Sequence, residues 1–291
     1  MELRHTCLSC GGSCRGARVT LLAEERARIE DLAARLGVPE PVVDGRLRVV
    51  DDACVFATAE GLCAIHREFG ASAKPAICAQ YPLVALRVGE QRRIGIDPGC
   101  YTAFRTWRTG ERLEPAHMLM SSGSPDPGLV QLEAMLLGLL AAQGWRGLLV
   151  GLVRPGFESR WIAALNTLRL SELLARPGTS RDQSAGLAAL ATALPGWTEP
   201  PSSTPLDPEL DAWVTEVVRR MIHLRLAAGV PTPAAVALLV AGGALALSWV
   251  DPRPECFAPA LAAWARAVRT PQVWAKLLPS PEALKALAAG G

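Results

Sequence analysis

Apolar residues recur at helical spacing through most of the second half of the chain, and turn-forming residues separate the runs. The clearest run follows Asp207 and Pro208, a pair typical of a helix start, and continues to Gly229, which suits a helix end. Similar patterns predict helices over residues 129–143, 161–174, 233–250, 256–268 and 281–289. We therefore predict an all-helical domain over residues 129–291.

The first 110 residues have a different pattern, with one helix and several short strands. Thr20 can cap a helix over residues 21–36, and Gly37 suits its end. β-Branched runs predict brief strands at 46–50 and 54–57 and a hairpin over 83–96. Residues 115–128 are rich in Pro, Ser and Gly, so we place a linker at 111–128. The predicted fold is α+β, with a small irregular cysteine-rich module at residues 1–110 preceding the helical domain.

The run at residues 233–250 carries no charge over its 18 residues, so a membrane span has to be weighed. Its length is at the lower end for a span, it is rich in Ala and Gly, and the charged segment DPRPE follows at once. A central helix of a bundle, apolar on all sides, explains these features better. We predict that this helix is buried in protein.

Length, composition and charge limit the classes of function that the sequence can indicate. The chain has 291 residues, half of them hydrophobic and a fifth charged, which is enough to bury a full core. The net charge of +2 and the scattered basic residues do not indicate nucleic-acid binding. The polar start MELRHTC lacks the apolar run of a secretory signal, which favours a cytoplasmic protein. In that reducing compartment, cysteines serve metals or catalysis more often than structural disulfides.

Cysteines and tryptophans are distributed in opposite ways, which supports the division into two domains. Seven of the eight cysteines precede residue 101, whereas seven of the eight tryptophans follow residue 110. The seven cysteines are Cys7, Cys10, Cys14, Cys54, Cys63, Cys78 and Cys100. The spacing of the first three lets several thiolates of one Gly-rich turn reach the same ion. Thiolates select zinc, an iron–sulfur cluster or copper(I), and a weakly cored module needs such a cross-link.

Inert burial, a disulfide scaffold and a redox-active dithiol fit these cysteines less well than a metal centre does. Inert burial gives no reason for seven thiols in one module, although it suits Cys256, which lies alone in the helical part. A disulfide scaffold conflicts with the cytoplasmic prediction. A thioredoxin-like dithiol would follow a strand and open a helix, and no strand is predicted before Cys7.

The segments CLSCGGSC, VTLLAEE and CVFATAEGLCAIHREFGASAKPAICAQYPL resemble the YkgJ-type cysteine-cluster family, which is described as zinc- or iron-chelating. The resemblance covers about residues 5–104 and five spaced elements in the same order. Beyond the first cluster, the matching positions are Cys54, Phe56, Gly61, Cys63, Ile65, His66, Pro75, Cys78, Tyr81, Pro82 and Cys100. The family has two adjacent cysteines where this chain has Cys14 and Arg15, so one family cysteine is missing.

The cysteine pattern is also similar to that of flagellin lysine-N-methylases, which look like iron–sulfur proteins with a helical C-terminal region. The stretch LCAIHREFG fits their pattern well, and the helical part fits loosely. This resemblance implies an alternative function, a protein-modifying enzyme that acts on an amine of another protein. The sequence contains no dinucleotide-binding, P-loop, zinc-protease or hydrolase motif, which weakens a conventional methyltransferase interpretation.

We expect the metal ligands to come from the seven N-terminal cysteines, with Cys7, Cys10, Cys63 and Cys78 first and Cys14, Cys54 and Cys100 next. Four thiolates satisfy tetrahedral zinc or a 4Fe–4S cluster, and the surplus of cysteines favours a cluster while leaving open one site or two. His66 is expected to orient the turn after Cys63 more than to bind the ion, and His5 carries no specific signal. The predicted protein holds a metal ion or cluster in a structural or redox role, and its helical domain contacts a protein partner or substrate.

Overall fold

A computed structural model describes residues 2–8, 10–11, 19–51, 53–100, 102–114, 118–168, 181–201, 205–227 and 229–278, without the side chains of residues 181–184 and 272. The helices are α1 (Arg26–Arg35), α2 (Ala64–Phe69), α3 (Ala76–Gln80), α4 (Ala103–Thr106), α5 (Pro127–Leu152), α6 (Phe157–Thr167), α7 (Arg181–Ala193), α8 (Pro208–His223), α9 (Pro233–Val250), α10 (Pro254–Ala267) and α11 (Pro271–Leu277). The strands are β1 (Val42–Val43), β2 (Arg46–Leu47), β3 (Val49–Val50), β4 (Ala53–Cys54), β5 (Leu83–Val88), β6 (Gln91–Ile96) and β7 (Met120–Gly123). Helices together with small sheets make this an α+β protein.

The strands form two short ribbons and one three-stranded sheet. β1 pairs with β2 and β3 with β4, both antiparallel, and the larger sheet has the order β6-β5-β7. β5 and β6 form the hairpin predicted over residues 83–96, with Val88 opposite Gln91 across the turn. β7 adds to β5 in parallel from within the segment of linker composition. The domain boundaries derived from the sequence stay a prediction.

Local signals located the starts of two helices. Asp207 accepts the backbone N–H groups of Glu209 and Leu210 at the start of α8, and Thr232 accepts that of Ala235 at the start of α9. The predicted first helix is a 3₁₀ turn at Ala23–Glu25 followed by α1. The prediction that Thr20 caps it was wrong, because Thr20 pairs with Arg46 in an isolated β-bridge and the turn begins after Leu22.

Several predicted helix ends differ from the structure. α8 ends at His223 and not near Gly229, α5 continues past residue 143 across a kink at Gly144, and α6 ends at Thr167. The predicted helix at 281–289 lies outside the described residues. The helices that were not predicted are α2, α3, α4, α7 and α11.

Two described helices, α5 and α9, are long and apolar enough to cross a membrane by length and composition alone. α9 lies among other helices, and its residues from Ala235 to Ser248 are all buried. α5 buries one face, including the carboxylate of Glu133, and leaves Met135 and Val150 exposed. The burial of α9 agrees with a core helix, as its composition predicted.

The buried side chains form two separate clusters. The N-terminal core consists of Leu21, Ile29, Leu32, Ala33, Leu47, Phe56 and Ile65. The helical core combines the faces of α5 to α11 with Ile96, Cys100 and Ala103. Among the described helices and strands, every pair with more than a marginal contact lies within one of two sets, β1–β4 with α1–α3 or β5–β7 with the later helices. The β5–β6 hairpin therefore belongs with the helices in space.

Buried ion pairs attach this hairpin to the helices. Glu133 of α5 accepts from Arg93 of β6 at 2.8 Å and from Arg225, just after α8, at 2.5 and 3.1 Å. Asp97, which follows β6, accepts from Arg269 at 2.8 Å and from the backbone N–H of Gly99 at 2.7 Å. Burial alone would raise the pKa of Asp97, but the Arg269 guanidinium outweighs burial and lowers it. Both carboxylates are thus charged in the native state.

His223 is expected to make stability depend on mildly acidic pH. Burial, together with the positive charges of Arg219 and Arg93, lowers the pKa of His223 to about 4 from an ordinary value of 6.5. The unfolded chain then binds a proton more readily than the native protein, so stability is lost as pH falls from about 6.5 to about 4. Because the ring is partly exposed, we expect a loss of about 1–2 kcal/mol.

Urea unfolding of wild type and His223→Gln at several pH values between 4 and 7.5 measures this loss. The variant should have a flatter pH dependence over that range than the wild type. An unchanged slope in His223→Gln contradicts the assignment.

Candidate metal centre

An extended N-terminal strap, residues 2–8 with 10 and 11, leads to the first cysteines. Arg4 lies opposite Arg112 in an antiparallel bridge. The backbone N–H of His5 donates to the carbonyl of Glu111 at 3.0 Å, and the N–H of Leu113 donates to the carbonyl of Leu3 at 2.8 Å. These bonds hold the strap against residues 110–113, which lie beside the helical core through Leu113.

His5 fixes the strap just ahead of Cys7. Only 5% of the residue is exposed, and its Nδ1 lies 2.8 Å from the hydroxyl of Thr106 at the end of α4. Burial and the nearby Arg220 guanidinium lower the pKa of His5, so the ring is neutral at neutral pH. The sequence assigned His5 no role, because its partner lies about a hundred residues away.

The strap ends in a backbone-to-backbone contact with a second turn. Gly11 has φ +65°, and a Cβ added there would overlap the carbonyl group of Gly61. In the other direction, a Cβ on Gly61 would lie 3.6 Å from the Cα of Gly11 and 3.7 Å from the carbonyl oxygen of Cys10. Only glycine permits this approach, which brings Cys10 beside the turn that leads into Cys63.

The turn between Cys54 and Cys63 is tight. The N–H of Ala57 donates to the carbonyl of Cys54 at 2.7 Å, and Ala57 in turn pairs with Cys63 in an isolated bridge. Gly61 takes φ +80° within this turn, and Cys63 immediately precedes α2. Both cysteines are half-buried and pack against the N-terminal core.

Cys100 belongs to the other core. It follows a turn in which its N–H donates to the carbonyl of Asp97 at 3.0 Å, and 5% of the residue is exposed. Burial, aided by the charges of Cys10 and Asp97, raises the pKa of its thiol to about 11, although hydrogen bonds with Thr102 oppose the rise. Cys10 is thus near enough to act electrostatically on Cys100, although ninety residues separate the two in sequence.

The remaining sequence-predicted residues are less closely defined. Cys78 is half-buried in α3, whose first N–H, from Ala76, donates to Glu25 at 2.6 Å. Cys7 is exposed in the strap. His66 is exposed on α2, and Cys14 lies outside the described residues. The seven described cysteines are thiols, and no disulfide joins any two of them.

The described residues do not form a closed ligand cage. Within them, no group of three or more His, Cys, Asp or Glu side chains is arranged to hold a metal ion. The structure brings the segment that carries Cys10 beside the turn that leads into Cys63, two cysteines that the sequence had placed in its first group. The donor chemistry, several thiols from separate segments, fits zinc or an iron–sulfur cluster. The thiols therefore fit the predicted centre in kind, while the described residues leave the centre itself a prediction.

Aromatic side chains lie close to the Cys100 turn. The ring of Trp213 lies 6.0 Å from that of Phe104 and 5.4 Å from that of Trp107, and the Arg220 guanidinium lies 5.1 Å from the Trp213 ring.

An enzyme would need a cleft beside the candidate metal centre. A depression of about 500 Å³ is lined by Glu2, Leu3, Arg112, Leu113 and Glu114, and a second cavity lies beside Cys256. Neither of these two cavities is lined by any of the seven N-terminal cysteines.

Cys256 lies apart from this region, at the start of α10. A hydrogen bond with the carboxylate of Asp251 raises the pKa of its thiol, so the thiol stays protonated at neutral pH. This environment makes Cys256 a suitable control position for cysteine substitutions.

No protein-family model matches the chain, and no curated protein or solved structure is similar to it. The resemblance to the cysteine-cluster family thus stays a prediction from its motifs.

Cys100 is expected to react slowly with alkylating reagents in metal-free protein. A thiol pKa of about 11, against an ordinary 9.0, leaves a thiolate fraction about 100-fold smaller at pH 8. Brief iodoacetamide treatment followed by peptide mass spectrometry should label exposed Cys7 well before Cys100. Unfolded protein, in which all cysteines are accessible, is the control. Equal labelling of Cys7 and Cys100 in native metal-free protein contradicts the burial of Cys100.

Proposed function

We propose that this protein holds a soft metal centre, a 4Fe–4S cluster or zinc, through thiolates of its N-terminal cysteines, in a structural or redox role. The contact between Gly11 and Gly61 carries the proposal, because it places Cys10 beside the turn that leads into Cys63. The charge of Cys10 is also among the causes that raise the pKa of the Cys100 thiol, which supports Cys100 as a third candidate. Inert buried thiols need no such approach of chain segments that are distant in sequence.

Cys10, Cys63 and Cys100 are the first ligand candidates within the described residues. Cys7, Cys14, Cys54 and Cys78 are the candidates for the remaining positions. An iron–sulfur cluster would supply one-electron transfer, whereas zinc would supply a cross-link between loops. The protein's own contribution is to bring the strap, the 54–63 turn and the Cys100 turn together, and to bury Cys100 on the side of the helical core.

The proposal places the protein in the cytoplasm, where thiols stay reduced and available for metals. The two long apolar helices give only weak support for a membrane location, because the buried core helix of a globular protein has the same composition.

Anaerobic purification followed by metal analysis, sulfide analysis and an absorption spectrum tests the proposed function. Brown protein with iron and acid-labile sulfide supports the cluster, and colourless protein with stoichiometric zinc selects zinc. Cys10→Ser and Cys100→Ser should each lower metal content at least tenfold, whereas Cys256→Ser should hold the wild-type amount. Metal-free wild-type protein, or equal metal content in all three variants, contradicts the proposal.

A further inference from the structure

The candidate ligands are divided between the two cores. Cys63 packs against the N-terminal core, and Cys100 is buried in the helical core. The described helices and strands that surround one core have at most marginal contacts with those that surround the other. The centre would therefore lie at the seam between two separately packed parts.

The strap crosses this seam. At one end, His5 bonds to Thr106 and to the carbonyl of Glu111, on the side of the helical core. At its other end, Gly11 lies against Gly61, on the side of the N-terminal core. The exposed cysteines Cys7 and Cys10 lie between these two attachments.

We infer that occupancy of the thiolate centre controls the docking of the N-terminal core onto the helical core, with the strap as the element that responds. The inference rests on the proposed function, because it assigns a regulation to that same site. An ion bound by Cys10 together with ligands from both cores binds only the docked arrangement. By linkage, the bound ion raises the equilibrium constant for docking by the factor 1 + [metal]/Kd. Loss of the ion releases the strap.

Hydrogen exchange on the full-length protein tests this coupling at amides that belong to no ligand. The reporters are the N–H groups of His5 and Leu113, which bond across the strap, and the amides of α9 are the reference. Metal-free protein is compared with protein given zinc(II) alone and, anaerobically, ferric and ferrous iron in equal amounts with sulfide. With free metal at 100 times Kd, exchange at the two reporters should slow about 100-fold, whereas α9 should be unchanged.

Two glycine variants provide the matched comparison. Gly11→Ala and Gly37→Ala both place alanine at a left-handed position, φ +65° and +68°, but Gly37 has open space where Gly11 meets Gly61. Metal should protect the reporters less than tenfold in Gly11→Ala and about 100-fold in Gly37→Ala.

The outcomes separate the inference from the proposed function. Metal that binds stoichiometrically without slowing exchange at His5 and Leu113 overturns the docking inference and leaves the proposed function standing. Full protection in Gly11→Ala also overturns it, because the contact with Gly61 would then play no part. A protein that binds neither zinc nor a cluster contradicts the proposed function, and the docking inference with it.

Discussion

Alanine at position 133 is expected to lower the free energy of unfolding by about 3–5 kcal/mol. Glu133 is only 2% exposed and accepts hydrogen bonds from both Arg93 and Arg225. Burial would raise its pKa, but the two arginines outweigh burial and lower it, so the native protein contains a charged carboxylate between two cations. Its removal leaves the buried Arg93 guanidinium without a counterion, which costs far more than the loss of an exposed pair.

Guanidinium unfolding of wild type, Glu133→Ala and Glu30→Ala measures this effect. Glu30 pairs with Arg26 four residues away on the exposed face of α1, so its removal should cost less than about 1 kcal/mol. Unequal slopes against denaturant would show that the native or denatured state had changed in compactness. A loss below about 1 kcal/mol in Glu133→Ala, similar to that in Glu30→Ala, contradicts the assigned role.

Alanine in place of Gly243 is expected to lower the free energy of unfolding by about 3 kcal/mol. Gly243 lies in buried α9, and an added Cβ would overlap the indole of Trp264. That indole cannot easily move aside, because its N–H donates to the carbonyl of Leu239 at 2.9 Å and its ring is fully buried. The overlap outweighs the gain of about 1 kcal/mol that alanine usually brings to a helix.

Gly138→Ala is the matched control for this substitution. Gly138 also lies inside a helix, α5, but it is exposed and a Cβ there meets no atom within 4 Å. We expect Gly138→Ala to raise stability by about 0.5–1 kcal/mol. Thermal unfolding of the two variants should therefore shift the midpoint in opposite directions, and a shift in the same direction would argue against the packing described for α9.

The parts of the fold that depend on local chemistry could be predicted from sequence. Asp207 and Thr232 cap helices because each side chain satisfies N–H groups a few residues away. The hairpin of β5 and β6 was predicted from its alternating runs and the turn at Gly89.

Features that depend on distant partners could not be predicted. α8 ends early because Arg225 turns into a left-handed conformation, in which its side chain reaches Glu133, far away in sequence. β7 has little strand propensity of its own, with Ser121 and Ser122 at its centre, and forms because β5 offers a free edge.

In the candidate site, too, local features could be predicted from the sequence, and contacts with distant residues could not. Clustered cysteines and the Gly-rich turn at Gly11 are visible in the sequence, and they predict a thiolate centre without a structure. The attachment of His5 to Thr106 and the burial of Cys100 with the helices depend on tertiary packing. The ranking of the ligands, with Cys100 in the second group, stays a prediction.

The placement of the tryptophans lets fluorescence distinguish the helical core from the N-terminal core. All eight tryptophans lie in the helical core or pack against it, and none precedes residue 107. Intrinsic tryptophan emission thus follows the helical core and does not detect local melting of the N-terminal core. Trp107 immediately follows Thr106, the partner of His5, and is the tryptophan nearest in sequence to the strap attachment. A change in emission on chelation would therefore mean that movement had crossed from one core to the other.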